Sequence, residues 1–236
     1  MLELIKNFFT EEECADALKE INLSQPLWKK CVDTDMYVLG NSFLRNQTQE
    51  YFNKHTVDSA TVELFRKKIS SLFQQEVKFC QTLSRPGFQI IKRNESNKPC
   101  VWHYDTILVR FPYNRDFLDY ENFDNYFENY YVFGLMLSTG LSSFDYFPET
   151  QSNFSSIKSG TPLCENHHDL VGDECGNPNC KLIKFNTVEY TQGSLLIQSK
   201  KILHRVGIKD IDGTKEQRMT LQAYGVVKND IMYLIW

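Results

Sequence analysis

No window of this 236-residue chain holds the run of apolar residues that a membrane span needs. Its opening, Met1-Leu-Glu-Leu-Ile-Lys-Asn-Phe-Phe, lacks the basic head and long apolar stretch of a secretory signal. An even set of cysteines is missing too. There are seven, which cannot all pair internally, so reduced thiols in a cytoplasmic compartment are expected. Nor is there an excess of basic charge: 26 Lys and Arg against 30 Asp and Glu leave a net charge of −4, which argues against a general nucleic-acid binder. No internal repeat and no second domain can be read, so residues 1–236 are expected to form one domain.

Aromatic residues, at 14%, are what the chain has in plenty, and they suit strands and a roomy aromatic-lined site. Thr10 and Glu13 form a T-x-x-E capping box ahead of Cys14, Ala15, Leu18 and Ile21 at helical spacing, with Phe8 and Phe9 as a hydrophobic staple. Met36 to Leu39 read as an early strand. A second helix is expected from the Asp58-Ser59 cap to about Thr82, with Val62, Phe65, Ile69, Leu72, Phe73, Val77 and Cys80 on one stripe. Residues 1–85 thus read as helical support that buttresses a sheet.

From Pro86 the texture is that of strands: Gly87 to Lys92, a polar turn from Arg93 to Pro99, and a strand through Val101 to Arg110. In Asp116 to Tyr130 the aromatics recur every three or four residues, which predicts a helix face packed on a core, or a lid over a substrate. Tyr131 to Ser138 reads as a buried strand. The polar stretch from Ser142 to Asn179 is too long for a mere connection and reads as an insertion (about 142–180) or functional loop. Strands resume at Lys181–Phe185, Gly193–Ile197, His204–Val206, Arg218–Val227 and Ile231–Trp236. Two helices followed by about eight strands predict a mainly β (α+β) fold, a helix-buttressed barrel or double-sheet jelly roll over 86–236.

Within the strand through Val101, Trp102, Tyr104 and Ile107, His103 and Asp105 stand two apart and so share a face. An imidazole and a carboxylate side by side can ligate a divalent metal. Two His and one carboxylate, with open positions opposite, is the arrangement of non-haem Fe(II) oxygenases. Downstream, His204 lies on a short strand, and fourteen residues later Arg218 opens another with Thr220 on the same face.

In these residues the sequence resembles the Fe(II)/2-oxoglutarate-dependent dioxygenases, whose motif is H-x-D, a distal His and a later Arg or Lys. The resemblance covers about residues 86–227, less the 142–179 stretch. The segment Phe8-Phe9-Thr10-Glu11-Glu12-Glu13-Cys14 is also similar to the opening of many prolyl-hydroxylase-type members. The resemblance implies a double-stranded β-helix core and Fe(II) held by His103, Asp105 and His204. It also implies 2-oxoglutarate held by Arg218 and Thr220, O₂ as co-reactant, and hydroxylation of a substrate, with a lean towards a protein or peptide. The physics agrees: a buried distal carboxylate needs a partner, and the planar guanidinium fork of Arg binds it through two parallel hydrogen bonds. The interval from His204 to Arg218 is longer than in many members. The Asp210-Ile-Asp-Gly213 hairpin would absorb it, and Lys209 or Lys215 is the substitute anchor if the register differs. Paired arginines of the nucleobase demethylases are not reproduced.

Two other readings stand beside this one. The same fold could serve as a non-enzymatic binding module, or as a cupin-type metal enzyme that uses no 2-oxoglutarate; Arg218 with Thr220 speaks against the cupin. A second metal site is offered by Cys164, His167 (or His168), Cys175 and Cys180, four soft ligands within 17 residues of the kind structural zinc takes. Its alternative is a polar loop whose thiols cluster by chance.

Overall fold

Thr10 and Glu13 cap each other. The Glu13 carboxylate accepts from the Thr10 backbone N–H at 2.7 Å, and the Thr10 hydroxyl accepts from the Glu13 N–H at 3.1 Å. Helix α1 (Glu11–Leu23) begins at this box, with Cys14 and Ala17 fully buried. The structure is a computed structural model that describes residues 2–23, 29–30, 36–39, 59–79, 90–93, 130–146, 186–199, 202, 204–206 and 218–235. Its strands in chain order are β1 (Leu2–Ile5), β2 (Lys29–Lys30), β3 (Met36–Leu39), β4 (Glu76–Phe79), β5 (Ile90–Arg93) and β6 (Tyr130–Met136). They continue with β7 (Leu141–Tyr146), β8 (Asn186–Thr191), β9 (Leu195–Ser199), β10 (His204–Val206), β11 (Arg218–Lys228) and β12 (Ile231–Ile235).

Helix α2 (Ala60–Phe73) starts as expected, with the Ser59 hydroxyl accepting from the Val62 N–H at 3.1 Å. It ends about nine residues before the expected Thr82. Gln74 turns left-handed (φ 50°) and donates its N–H back to the Ser70 and Ser71 carbonyls, while the Ser70 hydroxyl donates to the Gln75 carbonyl at 2.6 Å. Val77, expected on the helix stripe, is buried from strand β4 instead, and Leu72 is 40% exposed. The first 85 residues therefore contribute strands as well as helices.

Nine strands form one sheet in the order β1-β9-β6-β11-β5-β3-β2, with β12 and β4 attached through β11. Strand β11 is its spine. One edge pairs with β6 from Thr220 to Val226; the other pairs first with β5 (Arg218 to Leu221) and then with β12 (Tyr224 to Lys228). A second sheet has three strands in the order β10-β7-β8. The described chain is thus mostly strand in two sheets, with few helices. No helix among the described residues is long and apolar enough to cross a membrane.

The period of two sorts the side chains of the large sheet onto two faces. Phe133, Leu135, Leu195, Ile197, Leu221 and Ala223 pack with Cys14, Ala17, Phe65 and Ile69 of the helices. On the other face, Met136 and Leu196 pack with Phe144 and Tyr190 of the small sheet. Gly193 joins β8 to β9 at φ 76°, and a Cβ there would fall on the Phe9 carbonyl oxygen, so only glycine lets the β1–α1 link come this close.

Three expectations are corrected by the strand assignments. Residues 142–146, expected as loop, belong to β7. The strand expected at 181–185 lies outside the described residues, and β8 follows it. Arg93, expected in a turn, ends β5. Tyr130, expected on a helix face, begins β6; the rest of the Asp116–Tyr130 expectation lies outside the described residues.

The two faces predict opposite responses to one methyl group. At Gly225 an added Cβ would lie 2.8 Å from the Phe133 ring and 3.0 Å from Met232 Sδ, so Gly225→Ala is expected to cost about 1–3 kcal/mol in denaturant unfolding. At Gly134, on the inter-sheet face, no described atom lies within 4 Å. Gly134→Ala should leave stability unchanged or raise it by about 0.5–1 kcal/mol.

Candidate active site

Strand β10 has three residues and is held by its neighbours on both faces. It pairs antiparallel with β7, setting His204 opposite Tyr146 and Arg205 opposite Asp145. On one face the buried Arg205 guanidinium donates from Nε to Asp145 Oδ2 at 2.9 Å, and the Thr187 hydroxyl of β8 donates to Asp145 Oδ1 at 2.7 Å. Arg205 is 1% exposed and Asp145 5%. At that depth each charge depends on the other, because an unpartnered ion would keep its full desolvation cost.

His204 occupies the other face, which looks onto the large sheet. It is 3% exposed, and its ring stacks on Phe144 with centroids 4.7 Å apart and planes 20° from parallel. Phe144 belongs to the inter-sheet cluster with Met136 and Leu196, which fixes the direction in which His204 faces. Nδ1 lies 2.9 Å from the Ile202 carbonyl oxygen. A carbonyl oxygen only accepts, so Nδ1 carries the proton, and a neutral ring in this pose has its lone pair on Nε2. This is how metal-binding histidines are commonly oriented.

Across the space between the sheets stands β11. Thr220 pairs with Met136 of β6 and so shares the inter-sheet face; Gln222 follows opposite Gly134, and Tyr224 opposite Val132. Thr220 is 2% exposed, and its hydroxyl has no hydrogen-bond partner among the described residues. A buried hydroxyl with no partner costs on the order of 1–3 kcal/mol, so such a group calls for a ligand or an ordered water. Arg218 is the first residue of β11, and its backbone stands opposite Arg93 of β5.

His204 and Thr220 therefore lie on the facing sides of the two sheets, His204 on the side of Phe144 and Thr220 on that of Met136. His103, Asp105, Lys209 and Lys215 lie outside the described residues, as do Cys164, His167, His168, Cys175 and Cys180 of the expected zinc set. Among the described residues no group of three or more His, Cys, Asp or Glu could hold a metal ion. Sequence reasoning missed the Arg205–Asp145 pair. The only available signal was the alternation of Leu141-Ser-Ser-Phe-Asp-Tyr146, hidden by the polar residues around it.

No protein-family model matches the chain, and no curated protein matches it. Solved structures to which it is similar include the non-heme alpha ketoglutarate dependent epimerase SnoN from nogalamycin biosynthesis. That protein is 12% identical, with 96% of this chain and 79% of SnoN covered and a TM-score of 0.49. HygX from Streptomyces hygroscopicus, solved with nickel and 2-oxoglutarate bound, is 12% identical over 94% of this chain and 81% of its own, with a TM-score of 0.49. A Pseudomonas putida prolyl-4-hydroxylase is 12% identical over 97% and 92%, with a TM-score of 0.42.

The ion pair behind His204 gives a test of what holds β10. Asp145→Ala is expected to destabilise the fold by about 3–5 kcal/mol in denaturant unfolding, since it removes the carboxylate that the buried Arg205 guanidinium pairs with. Replacing both partners by apolar residues (Asp145→Leu with Arg205→Met) should recover most of that loss.

Proposed function

We propose that this chain is an Fe(II)- and 2-oxoglutarate-dependent oxygenase with a double-stranded β-helix core, hydroxylating a substrate still to be identified. The observation that carries the reading is the pairing of roles across the inter-sheet space. His204 enters from the small sheet with its Nδ1 proton already committed to Ile202, and Thr220 enters from the large sheet with a buried hydroxyl lacking a partner among the described residues. A metal ligand and a carboxylate-binding hydroxyl are the two things such an enzyme needs on facing walls.

In this reading the strand expected through Val101 to Arg110 contributes the other two metal ligands. His103 and Asp105 then complete the ligand set with His204. Strand alternation assigns Arg218 to the face of Thr220, so both serve the distal carboxylate of 2-oxoglutarate. Neutral imidazoles with one carboxylate suit Fe(II). When bound, the iron and 2-oxoglutarate supply with O₂ the oxidising power for hydroxylation, releasing CO₂ and succinate. The chain's own share is positional. Ile202 and Phe144 hold the His204 ring plane, the Arg205–Asp145 pair holds the strand beneath it, and the Met136–Phe144–Leu196 packing keeps water from its apolar side.

The Phe8-to-Cys14 opening, on which the lean towards a protein or peptide substrate rests, also has a structural role. Phe8 and Phe9 are buried against Phe65, and Thr10 and Glu13 cap α1, so folding accounts for the segment.

Anaerobic incubation with Fe(II), then succinate and CO₂ release from 2-oxoglutarate on admitting O₂, tests the reading. His204→Ala should abolish metal retention. Thr220→Val should leave metal binding intact and weaken 2-oxoglutarate about tenfold, the loss of one hydrogen bond to a charged group. No turnover, together with no tightening of metal binding by 2-oxoglutarate, would sink the proposal.

A further inference from the structure

Two residues in the middle of the large sheet are half-buried where the residues around them are buried. Gly134 of β6 and Gln222 of β11 stand directly opposite each other, and both keep part of their surface accessible. Residues directly opposite across an antiparallel pair share a face, as do those two along each strand. On that face Val132, Met136, Thr220 and Tyr224 are buried, and so is Gln198 of β9, which stands opposite Val132. The helix side of β6 is closed by Phe133 and Leu135, both fully buried, whereas a Cβ built on Gly134 meets no described atom within 4 Å. The accessible surface therefore belongs to an opening on the inter-sheet side, ringed by buried side chains. It lies near His204: Gly134 also pairs with Leu196, and Leu196 packs with Phe144, the ring on which His204 stacks.

We infer that this opening seats the primary substrate, and that the part lying over Gly134 is an uncharged amide group read by Gln222. Thr220 stands at the Met136 end of the ring and Gln198 at the Val132 end, and no side chain of the ring is charged. An ion seated there would lose its hydration without gaining a counter-charge. The Gln222 amide offers two donor hydrogens and an acceptor carbonyl, and an amide on the ligand matches it in both senses. The missing Cβ of Gly134 is what leaves room for that group. That the occupant is the substrate rests on the oxygenase reading, which requires the oxidised group near the metal ligand; the opening itself does not depend on it.

The test measures binding of three small probes to the full chain held anaerobically with Fe(II) and 2-oxoglutarate. N-acetylglycinamide is neutral, N-acetylglycine is an anion, and glycinamide protonated at its amine is a cation. The neutral amide should bind at least about tenfold more tightly than either ion. Gln222→Leu should weaken it about three- to tenfold, the loss of a hydrogen bond between neutral groups. Gly134→Val should abolish its binding yet melt no lower than the parent chain, because the added methyl groups enter open space on a strand. A charged probe that binds as tightly overturns the assignment, as does a neutral probe that fails to bind or that Gln222→Leu leaves unchanged. Tightening of metal binding by 2-oxoglutarate, followed in parallel samples, reports on the oxygenase reading separately. Its absence overturns that reading and the naming of the occupant as substrate, and its presence leaves that reading standing whatever the amide does.

Discussion

Strand β11 is the element on which the other parts depend. Its eleven residues pair along one edge with β6 and along the other with β5 and then β12, so it joins every segment of the large sheet near the site. Because side chains alternate, one strand serves two environments. Leu221 and Ala223 close the core against the helices, while Thr220, Gln222 and Tyr224 face the small sheet. A slip of one residue would exchange the two sets, placing polar groups against Phe65 and Ile69 and leucine at the proposed anchor. Gly225 tightens that constraint, since the approach of Phe133 and Met232 leaves no room for a Cβ on the helix side.

The small sheet answers the same need in another way. With only three residues, β10 gains little from backbone pairing, and it is held instead by a buried ion pair on one face and an aromatic stack on the other. This arrangement couples the position of His204 to residues 59 and 60 positions away in sequence, Asp145 and Phe144. Long-range contacts of that kind explain why a short, partly polar strand can carry a group that must be placed well.

Where local chemistry alone determines structure, the sequence was readable. The Thr10–Glu13 box and the Ser59 cap mark their helices. The apolar runs of β6, β11 and β12 could hardly be anything but buried strands. The misses have a common cause. Strand β4 comes after α2 without a break in polarity, and only the left-handed turn at Gln74 separates them. Strands β7 and β8 are polar on one face because that face holds Asp145 and Thr187, so their composition resembles a loop. Strand β1 is four residues long and depends on β9 for its existence. His204 and Thr220 could be placed on strands from the sequence, whereas Arg93 was read as the start of a turn. Its place in β5 is set by pairing with β3 and with β11, 125 positions later in the chain at Arg218, which no local pattern can report. The roles of His103 and Asp105 rest on the motif itself.

We propose that a metal binds at His204 and a carboxylate at Thr220, on the facing sides of the two sheets. A crystal structure of the full chain grown anaerobically with Fe(II) and 2-oxoglutarate tests it most directly. The metal is predicted on His204 Nε2 together with His103 and Asp105, and the distal carboxylate of 2-oxoglutarate within hydrogen-bonding distance of Thr220 Oγ1. A metal bound away from His204, or a 2-oxoglutarate whose distal carboxylate leaves the Thr220 hydroxyl without a partner, would contradict the account.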